Sequence, residues 1–335
     1  MKHGNISIFV PHNGCPHQCS FCNQKSITGV RSQPSPQDVK NAVQTALSSS
    51  KKYDYEIAFF GGSFTAIDRN YMVSLLEPAY EYVKNGSVSG IRLSTRPDAI
   101  DDNVLKILKK YGVTAIELGT QSLDDEVLLA NKRGHTAEDV EKSSVLIKKY
   151  GFSLGLQMMT GLYKSTYQKD IETAEKIIAL APDTVRIYPT VTIKNTMLAD
   201  LLQKGEFVPC SLDESVELCA VLLQKFAQNN IEVIRLGLHY SEELEKDMLS
   251  ANYHPAFREL CENKIMLNKF FEIAQNLNLK NGDVVKVSVS PSCVSKFVGQ
   301  KRANILKIAE KGISVEKVTA DKSLSPMEIK VKRKN

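Results

Sequence analysis

Three cysteines stand within eight residues, Cys15-Pro16-His17-Gln18-Cys19-Ser20-Phe21-Cys22, spaced C-x3-C-x2-C. Thiolates this close can wrap a single soft metal centre. Three of them suit a 4Fe–4S cluster with one iron left without a protein ligand. An open metal position is where an exogenous ligand binds and chemistry happens, as in catalytic zinc sites. The same thiols can hold zinc if His12 or His17 is the fourth ligand. A disulfide is a poorer account, because an odd trio leaves one thiol over.

The elements that must position this loop alternate with a regular beat. Apolar runs at 6–10, 55–60, 90–94, 114–118, 152–158 and 184–188 predict strands, and helical patterns near 36–49, 69–84, 102–111, 124–129, 136–150 and 166–180 lie between them. Six βα units imply a parallel sheet covered by helices, with the site at the C-terminal ends of the strands. Motifs fall at those ends in succession. Gly61-Gly62-Ser63-Phe64-Thr65 follows the second strand, and Ser94-Thr95-Arg96-Pro97-Asp98 closes the third. Glu117-Leu118-Gly119-Thr120-Gln121-Ser122 and Arg133-Gly134-His135-Thr136 follow the fourth, Gln157-Met158-Met159-Thr160-Gly161-Leu162 the fifth and Tyr188-Pro189-Thr190 the sixth. Adjacent glycines allow a ligand close to the backbone. Each motif alone is a turn, a cap or a packed side chain; their joint placement makes one site.

The ordered set, with Phe21 before the third cysteine, resembles the radical S-adenosylmethionine (SAM) signature, and most of all the radical SAM domain of the elongator catalytic subunit, which modifies wobble uridines in tRNA. A more distant likeness is to oxygen-independent coproporphyrinogen oxidase. The resemblance runs from about Ile6 to Phe207. It implies a partial (β/α)6 TIM-like barrel, a 4Fe–4S cluster on Cys15, Cys19 and Cys22, and SAM chelated to the open iron. One electron then cleaves SAM to a 5′-deoxyadenosyl radical. It further implies Phe21, Gly61, Gly62, Ser63, Ser94, Gln121, Arg133 and Gln157 as cofactor-binding residues. Among them Gly61 to Ser63 meet the SAM amino group, Gln121 and Gln157 the ribose, and Arg133 the carboxylate. A guanidinium suits that last role because it grips a carboxylate with two parallel hydrogen bonds. Two departures stand out. Relatives usually carry glutamate where Ser94 stands, and the remaining residues are too few for the elongator subunit's acetyltransferase domain. Acetyl-CoA is therefore not expected as a substrate.

The 335 residues divide by pattern into a core barrel at 1–208, a helical extension at 209–281 and a small α+β module at 282–335. A long helix at 256–279 is expected to pack on the barrel. His239 and His254 could reach the barrel mouth, although lone histidines are more often packed or at the surface. The last module reads β-α-α-β with Gly299-Gln300-Lys301-Arg302 between its helices, and looks like a KH-type RNA-binding fold whose second loop glycine is replaced. From 282 to 335 there are 12 Lys and Arg against 5 Asp and Glu, a net of +7 in a chain of +5, which leaves −2 for the rest. Such a basic end suits an anionic partner such as RNA, or equally a solvated tail.

No run of eighteen apolar residues suggests a membrane span, and the scattered Cys210, Cys219, Cys261 and Cys293 suggest a reducing cytoplasm. The expectation is a radical SAM enzyme acting on RNA, tRNA in class, with a protein reductant for its cluster. The alternatives are radical chemistry on a small molecule, or an RNA-binding protein with a structural or redox-sensing cluster.

Overall fold

Strand and helix alternate as the hydrophobic pattern requires. The computed structural model describes residues 2–11, 15, 18–23, 32–49 and 53–334; His12 and His17, the candidate fourth zinc ligands, lie outside them. Contacts divide the chain into two compact units, Met1–Ser211 with Phe226–Tyr253, and Leu212–Lys225 with His254–Asn335.

The first unit holds a seven-stranded parallel sheet in sequence order: β1 (Lys2–Val10), β2 (Tyr53–Gly61), β3 (Gly90–Thr95), β4 (Val113–Gln121), β5 (Ser153–Thr160), β6 (Thr184–Pro189) and β7 (Glu232–Leu236). It is the TIM-like half-barrel expected from six βα units, extended by a seventh strand. β7 pairs in parallel with β6 and buries Val233 and Leu236. Helices α1 (Pro36–Leu47), α2 (Arg69–Lys84), α3 (Asp102–Lys110), α4 (Asp125–Ala130), α5 (Ala137–Lys149) and α6 (Tyr167–Ala179) connect the strands. Their starts are written in the sequence. Ser35 with Asp38, and Thr136 with Asp139, form capping boxes, and Asp101 and Asp124 cap α3 and α4.

Strand side chains alternate between two faces. One face carries the apolar core, with Ile57, Phe59, Ile91, Leu93, Ile116, Leu118, Leu154 and Leu156 all fully buried. Burying a side chain of this size removes roughly 1.5–3 kcal/mol of exposure cost. The opposite face carries Glu56, Arg92, Glu117, Gln157, Arg186 and Arg235, whose side chains meet across neighbouring strands. Gly155 makes room for this ladder: a Cβ there would lie 2.7 Å from Glu117 Cγ.

In the second unit, β8 (Val284–Val289) is central, parallel to β9 (Ser314–Ala320) and antiparallel to β10 (Ile329–Arg333). The long helix Phe257–Asn276 corrects an expectation. Of Phe270, Ala274 and Leu277, the residues at helical spacing in the sequence, Phe270 and Ala274 pack together with Met266 against Val285, Val287, Val289, Phe297 and Ile308 of this sheet module, while Leu277 is 42% exposed. A stripe at helical spacing says that a face is buried, not against what. Two short helices, Val294–Val298 and Ala303–Glu310, flank the expected loop, where Gly299, Lys301 and Arg302 all take positive φ (77°, 50° and 65°). No helix among the described residues is long and apolar enough to cross a membrane.

Candidate active site

The cysteine loop is pinned from both ends. Ser20 N–H donates to the Asn131 carbonyl at 3.1 Å and Ser20 Oγ to Asn131 Oδ1 at 2.6 Å, while Leu198 N–H donates to the Ser20 carbonyl. Cys22 N–H closes a turn on the Cys19 carbonyl at 3.1 Å. Cys15, Cys19 and Cys22 are half-buried, and none of them is in a disulfide. Burial and the neighbouring Cys19 push the Cys15 thiol up, while Arg96, Arg133 and the Ser63 N–H pull it down.

Arg133 is the residue that ties the loop to the sheet. Its Nη1 donates to Cys19 Sγ at 3.0 Å and its Nη2 to the Gly119 carbonyl at 2.6 Å. Its Nε is buried without a partner, and its guanidinium lies 5.9 Å from the Phe21 ring centre. Gln121, at φ 63°, also buries an unpaired oxygen, Oε1. Buried polar atoms are normally satisfied, so these two are exceptions that a ligand with matching groups would satisfy. His135 donates its Nε2–H to the Thr120 carbonyl at 3.2 Å and leaves Nδ1 bare. Burial, then the Arg133 charge, pushes its pKa down to about 4, so the ring is neutral near pH 7. A cavity of about 690 Å³ opens beside Cys19, lined also by Gln18, Leu129, Lys132, Asn195 and Met197.

The Gly61-Gly62-Ser63 turn abuts β1. Gly62 N–H donates to the Val10 carbonyl at 2.8 Å, and a Cβ on Gly61, at φ +113°, would lie 2.9 Å from that same oxygen. Only glycine fits there. Ser63 Oγ sits 2.9 Å from Thr95 Oγ1 and accepts the Arg96 N–H at 3.1 Å, so the second and third strand ends form one structure. Arg96 itself pairs with Asp98.

Ser94 and Gln157 stand apart from this group. Gln157 Nε2 donates to Ser94 Oγ at 3.0 Å and to Glu117 Oε2 at 2.8 Å. A carboxylate therefore does stand beside Ser94, on the neighbouring strand and in register with it. Glu117 is one of the residues to which the motifs gave no role. Burial raises its pKa, but Arg186 and Arg92 outweigh that and hold it below the usual range. Arg186 donates to it twice, at 2.6 and 2.9 Å, and Arg92 once at 3.1 Å. The only sequence signal for this ladder is a single charged residue, Arg92, Glu117 or Arg186, inside each of the otherwise uncharged strands β3, β4 and β6.

Among the described residues, no three His, Cys, Asp or Glu side chains are gathered into a ready-made metal site. The donor set nevertheless fits a cluster. Three soft thiols share one loop, and an N–H of Arg133 and one of Ser63 already face two of the sulfurs, as outer donors do around metal-bound thiolates.

Comparison with known proteins bears on the same residues. The profile of the Radical SAM superfamily matches residues 9–177, and that of the Radical_SAM C-terminal domain matches 182–266. The tRNA uridine(34) acetyltransferase of Dehalococcoides mccartyi (strain CBDB1) is 24% identical over 240 residues, covering 61% of this chain and 52% of that protein. Elongator complex protein 3 of Homo sapiens is 30% identical over 250 residues, covering 66% and 45%. The chain thus spans about half the length of these relatives or less. Among solved structures, the archaeal Methanocaldococcus infernus Elp3 with an N-terminal deletion superposes with TM-score 0.62 at 19% identity, covering 83% of this chain and 64% of that one. Streptococcus suis SuiB bound to S-adenosylmethionine gives TM-score 0.50 at 16% identity, covering 68% and 49%. At such identities the superpositions show a shared fold.

Proposed function

The chain belongs to the radical SAM superfamily, and from that premise we propose that it is a radical SAM enzyme whose substrate is RNA, tRNA in class. The enzyme uses a 4Fe–4S cluster and SAM, which when bound supply an electron and a hydrogen-abstracting 5′-deoxyadenosyl group. Every other task falls to this chain. Cys15, Cys19 and Cys22 hold the cluster. Gly61, Gly62 and Ser63 line the methionyl amino group, and Arg133 takes the methionyl carboxylate. Gln121, with Gln157 and Ser94, serves the nucleoside part, and Phe21 borders the loop.

The observation that carries this reading is the Arg133 guanidinium, 3.0 Å from Cys19 Sγ with Nε buried and bare. A cation held against a ligating sulfur, with a donor to spare, suits an anionic chelator of the adjoining metal. The RNA part rests on the named tRNA relatives and on the basic C-terminal unit. In that unit Arg302, which replaces the second glycine of a KH-type loop, keeps the left-handed backbone a glycine would adopt, and it and Lys301 are exposed. They are suited to meet phosphates as charges.

The test is 5′-deoxyadenosine release by the anaerobically reconstituted chain with SAM and dithionite, with and without bulk tRNA. Release that rises severalfold with tRNA is expected. Release indifferent to tRNA would remove RNA as the substrate.

A further inference from the structure

The polar face of the half-barrel does not balance its charges. Three guanidiniums, Arg92, Arg186 and Arg235, stand against two carboxylates, Glu56 and Glu117. Arg92 is paired with both acids. Glu117 already accepts four hydrogen bonds, from Arg92 Nη1 and Arg186 Nη2 on Oε1 and from Arg186 Nε and Gln157 Nε2 on Oε2. Four is the capacity of a carboxylate, so Glu117 has nothing left to offer. Arg235 is the cation left over. It sits beside Arg186 in strand register, and its one hydrogen bond among the described residues runs from Nε to the Gly237 carbonyl at 2.8 Å. Both terminal nitrogens are uncommitted.

A neighbouring group also lacks a partner. Tyr253 buries a hydroxyl with no hydrogen-bond partner, close enough to both the Glu245 carboxylate and Arg235 to feel their charges. The phenol of Tyr188 lies against Arg186 and Arg235, and the exposed ring of His239 faces both guanidiniums. Burial, Arg235 and Arg186 lower the pKa of His239, so its ring is neutral near pH 7 and adds a hydrogen-bonding nitrogen instead of a third cation. The unpaired nitrogens, the Tyr253 hydroxyl and the His239 ring thus gather at the C-terminal ends of β6 and β7. This is the same end of the parallel sheet that carries Gly61, Gly62 and Gln121.

We propose that Arg235, with the Tyr253 hydroxyl and the His239 ring, is an oxyanion subsite that holds a phosphate of the substrate nucleotide. A guanidinium fork takes two oxygens of one oxyanion, and a phosphate has a third for the phenol, where a carboxylate has none. The nucleotide identity rests on the RNA reading; the oxyanion site does not.

The experiment titrates uridine, uridine 5′-monophosphate and succinate calorimetrically into the cluster- and SAM-loaded full chain, native and Arg235→Met. Native protein is expected to bind the monophosphate at least about tenfold more tightly than uridine, and Arg235→Met to erase the difference, while Arg235→Lys retains part of it. If the monophosphate is no better than uridine but succinate binding depends on Arg235, the oxyanion site stands and the nucleotide assignment falls. If no anion's binding depends on Arg235, the proposal is overturned. Should Arg235→Met fail to fold, Tyr253→Phe decides: a severalfold loss for the monophosphate alone supports the site, and equal affinities overturn it.

Discussion

Two polar regions of the half-barrel contain arginines within a few strands of each other, and they are built on opposite principles. In the ladder of Glu56, Arg92, Glu117 and Arg186 every carboxylate oxygen of Glu117 is engaged twice, and the acid is 1% exposed. Around Arg133 the bonds stop short: Nε of Arg133, Oε1 of Gln121 and Nδ1 of His135 are buried and bare. A saturated network is a structural brace, since any ligand would have to break a bond to join it. An unsaturated one carries a standing desolvation cost of about 1–3 kcal/mol for each bare group, which a ligand with matching groups relieves.

The sharpest break in this contrast is Cys19→Ala. It removes one of three proposed cluster ligands and the sulfur that Arg133 touches. SAM-dependent 5′-deoxyadenosine release should fall to background and iron content should drop, with the fold retained by circular dichroism. Retention of native release would show that the loop is not the cluster site.

Glu117→Gln attacks the brace instead. Removing one charge from a buried pair leaves Arg186 uncompensated, at a cost of about 3–5 kcal/mol. A matching fall in stability to urea is expected. A change below about 1 kcal/mol would mean the ladder is not the brace described.

The pH dependence of stability separates the two regions more finely. Folded His135 titrates near 4, against an unfolded value near 6.5. Between these pH values the unfolded chain binds the extra proton, so His135 makes stability rise with pH over that window and stay level above it. The contribution is up to about 3 kcal/mol. Asp170 acts in the opposite sense: burial raises its pKa to about 6, so it costs stability as pH climbs from near 3.8 to 6. Over pH 4 to 6 the two largely cancel, so urea midpoints should fall with pH in that window for His135→Asn and rise for Asp170→Asn. Parallel curves for all three proteins would contradict both assignments.

The smallest expected effect lies in the C-terminal unit. Lys301→Ala with Arg302→Ala should weaken tRNA binding severalfold and reduce the slope of log K against log salt by about 1–2, as loss of one or two phosphate contacts does. An unchanged slope would return this loop to being a solvated turn.

The same contrast explains what the sequence could reveal. The site around Arg133 is local: Cys15, Cys19 and Cys22 share one loop, Gly61 and Gly62 one turn, and Arg133 follows α4 directly. Residue type and short spacing pointed to the cysteines and the glycine turn, and the resemblance to a family added Arg133. The ladder is assembled by register. Glu117 and Arg186 are 69 positions apart, and Arg92 is 25 from Glu117. A lone charge in each strand does not say which charges meet or that Arg235 is left over. That β7 is the seventh member of the sheet was not readable, because its partner β6 lies more than forty residues earlier. The stripe on the helix Phe257–Asn276 likewise named a buried face and not its partner.

The most direct test of the claim that bare donors mark the cofactor site is the electron paramagnetic resonance spectrum of the dithionite-reduced cluster, titrated with SAM in native protein and in Arg133→Met. The account predicts a spectrum that changes on SAM binding, with the change shifted to at least about tenfold higher SAM in the variant. Superimposable titrations, or a native spectrum indifferent to SAM, would contradict it.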